Sequence, residues 1–389
     1  MAAGDRHPVL ALLAAGALGG LLGGCGTTFR LPTEIRVNPV IPGQGTYQKI
    51  ATWSGMTNIQ DVLLTPSGEL FLLFQDEVAK SGEVFRYPQS VPEPISTPLA
   101  GVLNPTAVCF GANRIFVLDQ GDSSAARSDF PCPYYAEFHA DVDTLTVPIK
   151  GFSRPITNLA AYWHVREYLL DGTPVSGFTD TSFAWVSGVA ADASGRVYVA
   201  GVIIYCRVDP FNERLRTLEY RYRIRRYERG TGDRFVTDGP WRRDRTYQLI
   251  EGTGLGSTRD PRGMQWAAPQ GAALYFADRG NNQVQRYGDP IGGAGSFKLD
   301  FGGSGPDSML LSEPLDVAVD SAGFVYVVDA GNLRVLRYDS DGNFVQRVDR
   351  NPDDITPLLV RPVAVAADNR QAYVADRGAG QVLRYWRRD

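Results

Sequence analysis

Few residues in this chain have both the type and the placement for chemistry. Asp61 and Asp316 each open an apolar strand pattern, "QDVLL" and "LDVAV", and Gln60 and Arg262 lie beside corresponding positions. Two carboxylates with an amide and a guanidinium could hold a divalent cation or a polar ligand group. Four further carboxylates, Asp119, Asp278, Asp329 and Asp376, end apolar runs just before a turn. Such acids could be catalytic or bind metal. The structural reading is that each accepts backbone N–H groups of that turn, with the following Gly supplying a positive φ. The third candidate is basic and aromatic: "RLRTLEYRYRIRRYERG" (214–230) and "GPWRRDRTYQLIEG" with Trp241, Arg242 and Arg243. Between Arg207 and Arg245 there are 12 Arg against 7 acidic residues. That surface could grip a polyanion, a glycan or an acidic protein. The same arginines would equally serve as the solvated face of a long strand, paired with interleaved Glu and Asp. No G-x-S-x-G elbow, P-loop or H-E-x-x-H occurs.

These residues sit on a repeat. One mark is an alternating apolar run with an aromatic, at Phe71, Phe116, Tyr198, Tyr275, Tyr326 and Tyr373. A second follows each, ending at Tyr87, Tyr168, Tyr227, Tyr287, Tyr338 and Tyr385, as in "RVLRY". An apolar strand precedes every first mark, and a turn and fourth strand follow most second marks. A lone four-stranded unit cannot cover both apolar faces, so six units must stack into a ring, an all-β six-bladed propeller with strands a to d from the axis outward. On strand a the equivalent axial positions are Asp61, Ala107, Gly188, Gly263, Asp316 and Ala364, mostly small as a crowded channel demands. The last unit stops after "QVLRYWRRD" and lacks a d strand. "TYQKIATWSG" at 46–55 has the required alternation and is expected to complete it, closing the ring.

The stretch "PLDVAVDSAGFVYVVDAGNLRVLRY" at 314–338 resembles the NHL repeat, whose members form six-bladed propellers. "FADRGNNQVQRY" and "VADRGAGQVLRY" are similar to it, whereas the first three units depart from it; Gly201 stands where the acid of "Asp-x-Gly" belongs. The resemblance implies a propeller that binds across its loops, and some relatives are metal-dependent lactonases or amidating lyases. A lyase of that kind holds zinc through several histidines, but only His139 and His164 follow the N-terminal region. A lactonase would need a Glu at the axis, and none stands at the matching positions.

The distance from first to second mark is 12 residues in the last three units, but 52 in the second and 29 in the third. Insertions are therefore expected at 120–163, 201–221 and 239–262, all on the face where b–c and d–a loops emerge. Functional residues concentrate on long loops held by a rigid scaffold. Tyr134, Tyr135, Trp241, Arg242 and Arg243 are the candidate contacts there, unless these loops only decorate or stabilise.

Residues 8–24 form an uncharged apolar run after Arg6, and Leu22-Gly23-Gly24-Cys25 resembles a bacterial lipobox. The expected organisation is a lipoprotein signal peptide at 1–24, a lipidated tether at 25–45 attached through Cys25, and the propeller at 46–389. An ordinary signal peptide or an uncleaved anchor is the alternative. In either case the body is exported, and Gly26 resembles lipoproteins sent to the outer membrane where the host has one. Of the remaining cysteines, Cys109 lies in a strand pattern, and Cys132 and Cys206 lie in insertions where they could form a disulfide. Net charge is −4, which gives no general attraction to nucleic acid. The expected function is a monomeric, non-catalytic binding or scaffold lipoprotein holding a protein or an envelope polymer, without cofactor apart from a cation at the channel mouth. The alternative is a metal-dependent lactonase-like hydrolase or lyase.

Overall fold

The computed structural model describes residues 46–120, 163–180, 183–208, 216–230, 241–249, 251–253, 257–268, 272–288, 296–302, 310–349 and 358–388. After β1 (Thr46–Ser54), the described residues form six antiparallel sheets. Blade one holds β2 (Ile59–Leu64), β3 (Leu70–Asp76) and β4 (Ser81–Tyr87); blade two holds β5 (Pro105–Gly111), β6 (Arg114–Asp119), β7 (His164–Tyr168) and β8 (Pro174–Thr179). Blade three is β9 (Phe183–Ala191), β10 (Val197–Val208), β11 (Arg216–Arg229) and β12 (Trp241–Gln248). Blade four is β13 (Pro261–Ala267), β14 (Ala273–Asp278), β15 (Gln283–Gly288) and β16 (Ser296–Gly302). Blade five is β17 (Pro314–Val319), β18 (Val325–Asp329), β19 (Arg334–Tyr338) and β20 (Phe344–Arg347). Blade six is β21 (Pro362–Ala367), β22 (Gln371–Asp376), β23 (Gln381–Arg388) and, outermost, β1. The inner strands β2, β5, β9, β13, β17 and β21 touch in that order and return to β2, so the ring is closed.

The closing strand pairs antiparallel with β23 from Thr46↔Arg388 to Ser54↔Gln381, as its alternation predicts. Between Lys49 and Ala51 the register shifts, leaving Ile50 as an extra, exposed residue. Tyr47 and Trp53 are six residues apart and would share one face of a regular strand; one inserted residue reverses the alternation between them. Tyr47 therefore packs into the seam with blade five, edge-on to Tyr326 with the two hydroxyls 2.7 Å apart. Trp53 packs into the seam with blade one, stacked on Tyr87 at 6.2 Å. One strand fastens two seams.

The repeat marks explain the rest of the core. Among the described residues the buried apolar side chains form six clusters, each spanning two neighbouring blades. Within a blade, the first-mark Tyr and the residue before the second-mark Tyr are cross-strand partners: Tyr275↔Arg286, Tyr326↔Arg337 and Tyr373↔Arg384. Each guanidinium lies 5.6–5.7 Å from the ring it faces, a cation–π pair repeated down the chain. Blade one departs from the four-strand expectation. Residues 88–98 carry four prolines, which cannot donate to a ladder, so in place of a fourth strand β4 is covered by scattered backbone bonds: Ile95 N–H to the Arg86 carbonyl, Leu99 N–H to the Val84 carbonyl and Gly82 N–H to the Leu103 carbonyl.

The seam geometry sets an expectation. Trp53→Ala should cost about 3–5 kcal/mol, whereas Ile50→Ala should cost under ~0.5 kcal/mol because the side chain is exposed. Deleting Ile50 should destabilise far more than Ile50→Ala, since Tyr47 or Trp53 is then forced onto the wrong face. Urea unfolding of the three variants measures this, and a harmless deletion would contradict the bulge.

Candidate functional site

A b–c turn and a d–a link emerge from the same end of each blade, here the upper face; the a–b and c–d turns emerge from the lower face. The innermost strand of a blade has no ladder partner on its axial edge, so backbone groups there need other acceptors and donors. The polar residues of the channel supply them. Asp61 accepts the N–H of Val62 at 2.7 Å and, across the seam, that of Val108 in blade two at 2.8 Å. Asp316 accepts Val365 N–H of blade six at 2.8 Å. Gln265, on a strand that reads as apolar, takes Val319 N–H at 2.8 Å and donates to its carbonyl at 3.1 Å. Ser187 donates to the Pro261 carbonyl at 2.6 Å. Sequence reasoning missed Gln265 and Ser187; a polar residue inside an apolar a strand was the available signal.

The predicted four-residue cluster at the mouth does not assemble. Asp61 and Asp316 are close enough for the Asp61 charge to raise the Asp316 pKa, after burial as the larger cause. Gln60, however, accepts a hydrogen bond from Arg377 of blade six, which also reaches Glu77 at 3.0 Å and the Gln75 carbonyl at 3.0 Å. Arg262 turns to Asp260 at 2.9 Å and lies 4.1 Å over the Trp185 ring. Arg279 continues this chain, joining Asp260 at 3.0 Å to Glu313 at 2.5 Å. Among the described residues no three or more His, Cys, Asp or Glu side chains stand together as a metal-binding set.

The strand-end aspartates are structural, but their backbone donors differ from those expected. Asp119, Asp278, Asp329 and Asp376 are buried and accept N–H groups of the preceding d–a link: Asn104 at 2.7 Å, Arg259 at 2.7 Å, Ser312 at 2.6 Å, and Val360 and Arg361 at 2.9 and 2.8 Å. The following Gly does not supply the positive φ either. Asn282 (53°), Leu333 (52°) and Gly380 (59°) take that conformation. The Gly of Asp-x-Gly instead permits close approach to the link: a Cβ on Gly331 would meet the Ser312 carbonyl at 2.8 Å, and one on Gly280 the Arg259 carbonyl at 2.6 Å. Asp-x-Gly thus staples the b–c turn to the d–a link.

Blade three lacks that staple, because Gly201 replaces the acid. Its strands do not stop there: β10 and β11 stay paired from Val197↔Tyr227 through Val208↔Arg216, carrying the hairpin past the blade on the upper face. The arginines beneath are largely neutralised. Arg225 pairs with Asp180 at 2.9 Å, Arg226 with Asp244, Arg229 with Glu167, and Arg242 with Glu228 at 2.5 Å. Trp241, Arg242 and Arg243 do not belong to an upper-face insertion. They begin β12, paired as Arg229↔Trp241, at the lower end of the blade, and Trp241 is buried against Phe178 at 5.0 Å. Cys109 is free and buried between blades two and three. Cys25, Cys132, Tyr134 and Tyr135 lie outside the described residues, as does the Cys206 side chain.

The axial pair has a pH signature. Burial raises the Asp61 pKa to about 7 against the pull of its two backbone N–H donors, and raises Asp316 well above the usual range. The unfolded chain releases these protons near pH ~4, so between about pH 4 and 7 the folded state binds more protons and stability falls as pH rises. The wild-type urea midpoint minus that of Asp61→Asn should therefore decrease from pH 5 to pH 8. A difference that is flat across this range would contradict the assignment.

Residues 311–338 match the NHL repeat. No curated protein matches the chain in sequence. Similar solved structures include a streptogramin B lyase, 13% identical over 88% of this chain and 87% of that one with a TM-score of 0.43. Another is virginiamycin B lyase from Staphylococcus aureus, 11% identical over 88% of this chain and 99% of that one with a TM-score of 0.42. The chain is a six-bladed β-propeller that carries an NHL repeat in its fifth blade.

Proposed function

We propose that this propeller is a non-catalytic binding or scaffold module that holds a protein or an envelope polymer on its upper face. The observation that carries the reading is the β10–β11 hairpin, whose unbroken register runs well past the point where strand b ends at the staple aspartate in blades two, four, five and six. A hairpin prolonged on a rigid ring presents a surface at little ordering cost. The polar groups of the channel mouth favour binding over a hydrolase or lyase. Asp61, Asp316, Gln265 and Ser187 each hold backbone of a neighbouring blade, and Gln60 holds Arg377. An enzyme would need such groups turned toward substrate.

The same reading places the module outside the cytoplasm, tethered through lipid on Cys25. Residue Thr46 pairs with Arg388 at the lower end of blade six, so β1 begins on the face opposite the hairpin. The hairpin then faces away from the membrane.

Shortening the hairpin by replacing 204–219 with a tight turn should abolish partner recovery from envelope extract while leaving the melting transition intact, and deleting 120–163 should weaken it. Unchanged partners in both variants would remove the upper face as the binding surface. Cys25→Ala should abolish incorporation of labelled palmitate; retained label would refute the tether.

A further inference from the structure

At the lower face, the repeat breaks in a second place. The residue before the second-mark Tyr is Arg in five blades, at Arg86, Arg226, Arg286, Arg337 and Arg384, but Glu167 in blade two. Glu167 pairs with Phe116, where in the other blades a Tyr or Phe faces Arg, so the cross-strand partner of Phe116 is an anion in place of a cation. The reversed charge draws in guanidinium groups from elsewhere. Arg229 of blade three donates to Glu167 Oε2, as does the Ser176 hydroxyl, and Arg114 Nε stands 3.6 Å from Oε1. Between these groups a cavity of about 230 Å³ opens at the seam of blades two and three.

The cavity is built for one charge sign. Glu167 is 3% exposed and already engaged, whereas the side chains of Arg114 and Arg229 are 37% and 46% exposed. Arg229 is held by its stack 5.0 Å over Trp241, whose indole N–H donates to Ser176 Oγ at 3.4 Å. Arg114 Nη1 uses one donor on the Asn113 carbonyl at 3.1 Å. Two guanidiniums against one carboxylate leave one positive charge, and a guanidinium fork matches a planar carboxylate. Phe116 and Val175 supply an apolar wall, and the tight turns at Ala112 and Gly195 form the rim. The volume lies below the roughly 300–1,000 Å³ of drug-sized sites, which limits the occupant to a group about the size of one residue.

We propose that this lower-face cavity binds the carboxylate of a small apolar group, carried either by a free organic acid or by the C-terminal residue of a peptide. The site is separate from the upper face and does not depend on the function proposed for it. Calorimetric titration of the full-length protein with N-acetyl-leucine, N-acetyl-leucinamide and an acetylated tetrapeptide ending in leucine tests it. Acetyl-leucine should bind at least tenfold more tightly than its amide. Arg114→Gln, at a half-exposed position where folding is not at stake, should weaken it at least fivefold, with partial rescue by Arg114→Lys. A peptide binding tenfold better than acetyl-leucine would assign the C-terminal source, and equal affinities the free acid. Equal binding of acid and amide, unchanged affinity in Arg114→Gln, or no binding of any probe at 10 mM would each overturn the proposal.

Discussion

The fold depends on one pairing, β1 against β23, which joins residues 46–54 to residues 381–388. Without it blade six has three strands and two unsealed seams, since Tyr47 and Trp53 arrive on the same strand. Blade one tolerates three strands because its proline-rich segment still reaches the Arg86 and Val84 carbonyls. In blade six that place is taken by β1. The closing contact joins residues more than 300 positions apart, so it costs more loop-closure entropy than the hairpin pairings within a blade. A single exposed residue, Ile50, decides whether that strand presents aromatics to both neighbours or to one.

A closed ring still leaves inner edges facing the channel, and these dictate the chemistry of the axis. An unpartnered buried N–H costs on the order of 1–3 kcal/mol, so a carboxylate that accepts two of them is worth keeping even where burial opposes its charge. The raised pKa values of Asp61 and Asp316 are the visible cost of that arrangement. Gln265 reaches the same end without charge, by taking both the N–H and the carbonyl of Val319. The two carboxylates that stand out among the titratable groups each accept a backbone N–H from a neighbouring blade.

Much of this was legible in the sequence, and the failures have local physical causes. The aromatic marks, the closing strand and the prolonged hairpin all follow from period-two alternation, which the backbone enforces. The donors to the strand-end aspartates were not legible. They come from 15 to 19 residues upstream, on a link whose path is set by packing. The glycine role was misread for the same reason, since what it avoids is a carbonyl on that link and not its own turn. Strand β12 was hidden because the buried alternation Trp241, Tyr247, Leu249 is filled between by arginines, which look like loop surface until Arg226–Asp244 and Arg242–Glu228 pair them.

In a ring of near-identical units, the informative residues are those that depart from the repeat. Most positions are constrained by a neighbour above, below or across a seam, so a departure persists only where the local structure has changed to accept it. Gly201 removes the acid that staples strand b to the d–a link, and the strand runs on, packed so closely on β9 that a Cβ would meet Val186 Cα at 2.9 Å. Glu167 reverses the charge at a position where five blades place Arg, and two arginines from outside that position converge on it. One departure builds outward from the upper face and the other hollows the lower. Both fall on blades two and three, whereas blades four to six keep the regular spacing, so the half of the ring that holds the repeat pattern serves as the frame for the half that has left it.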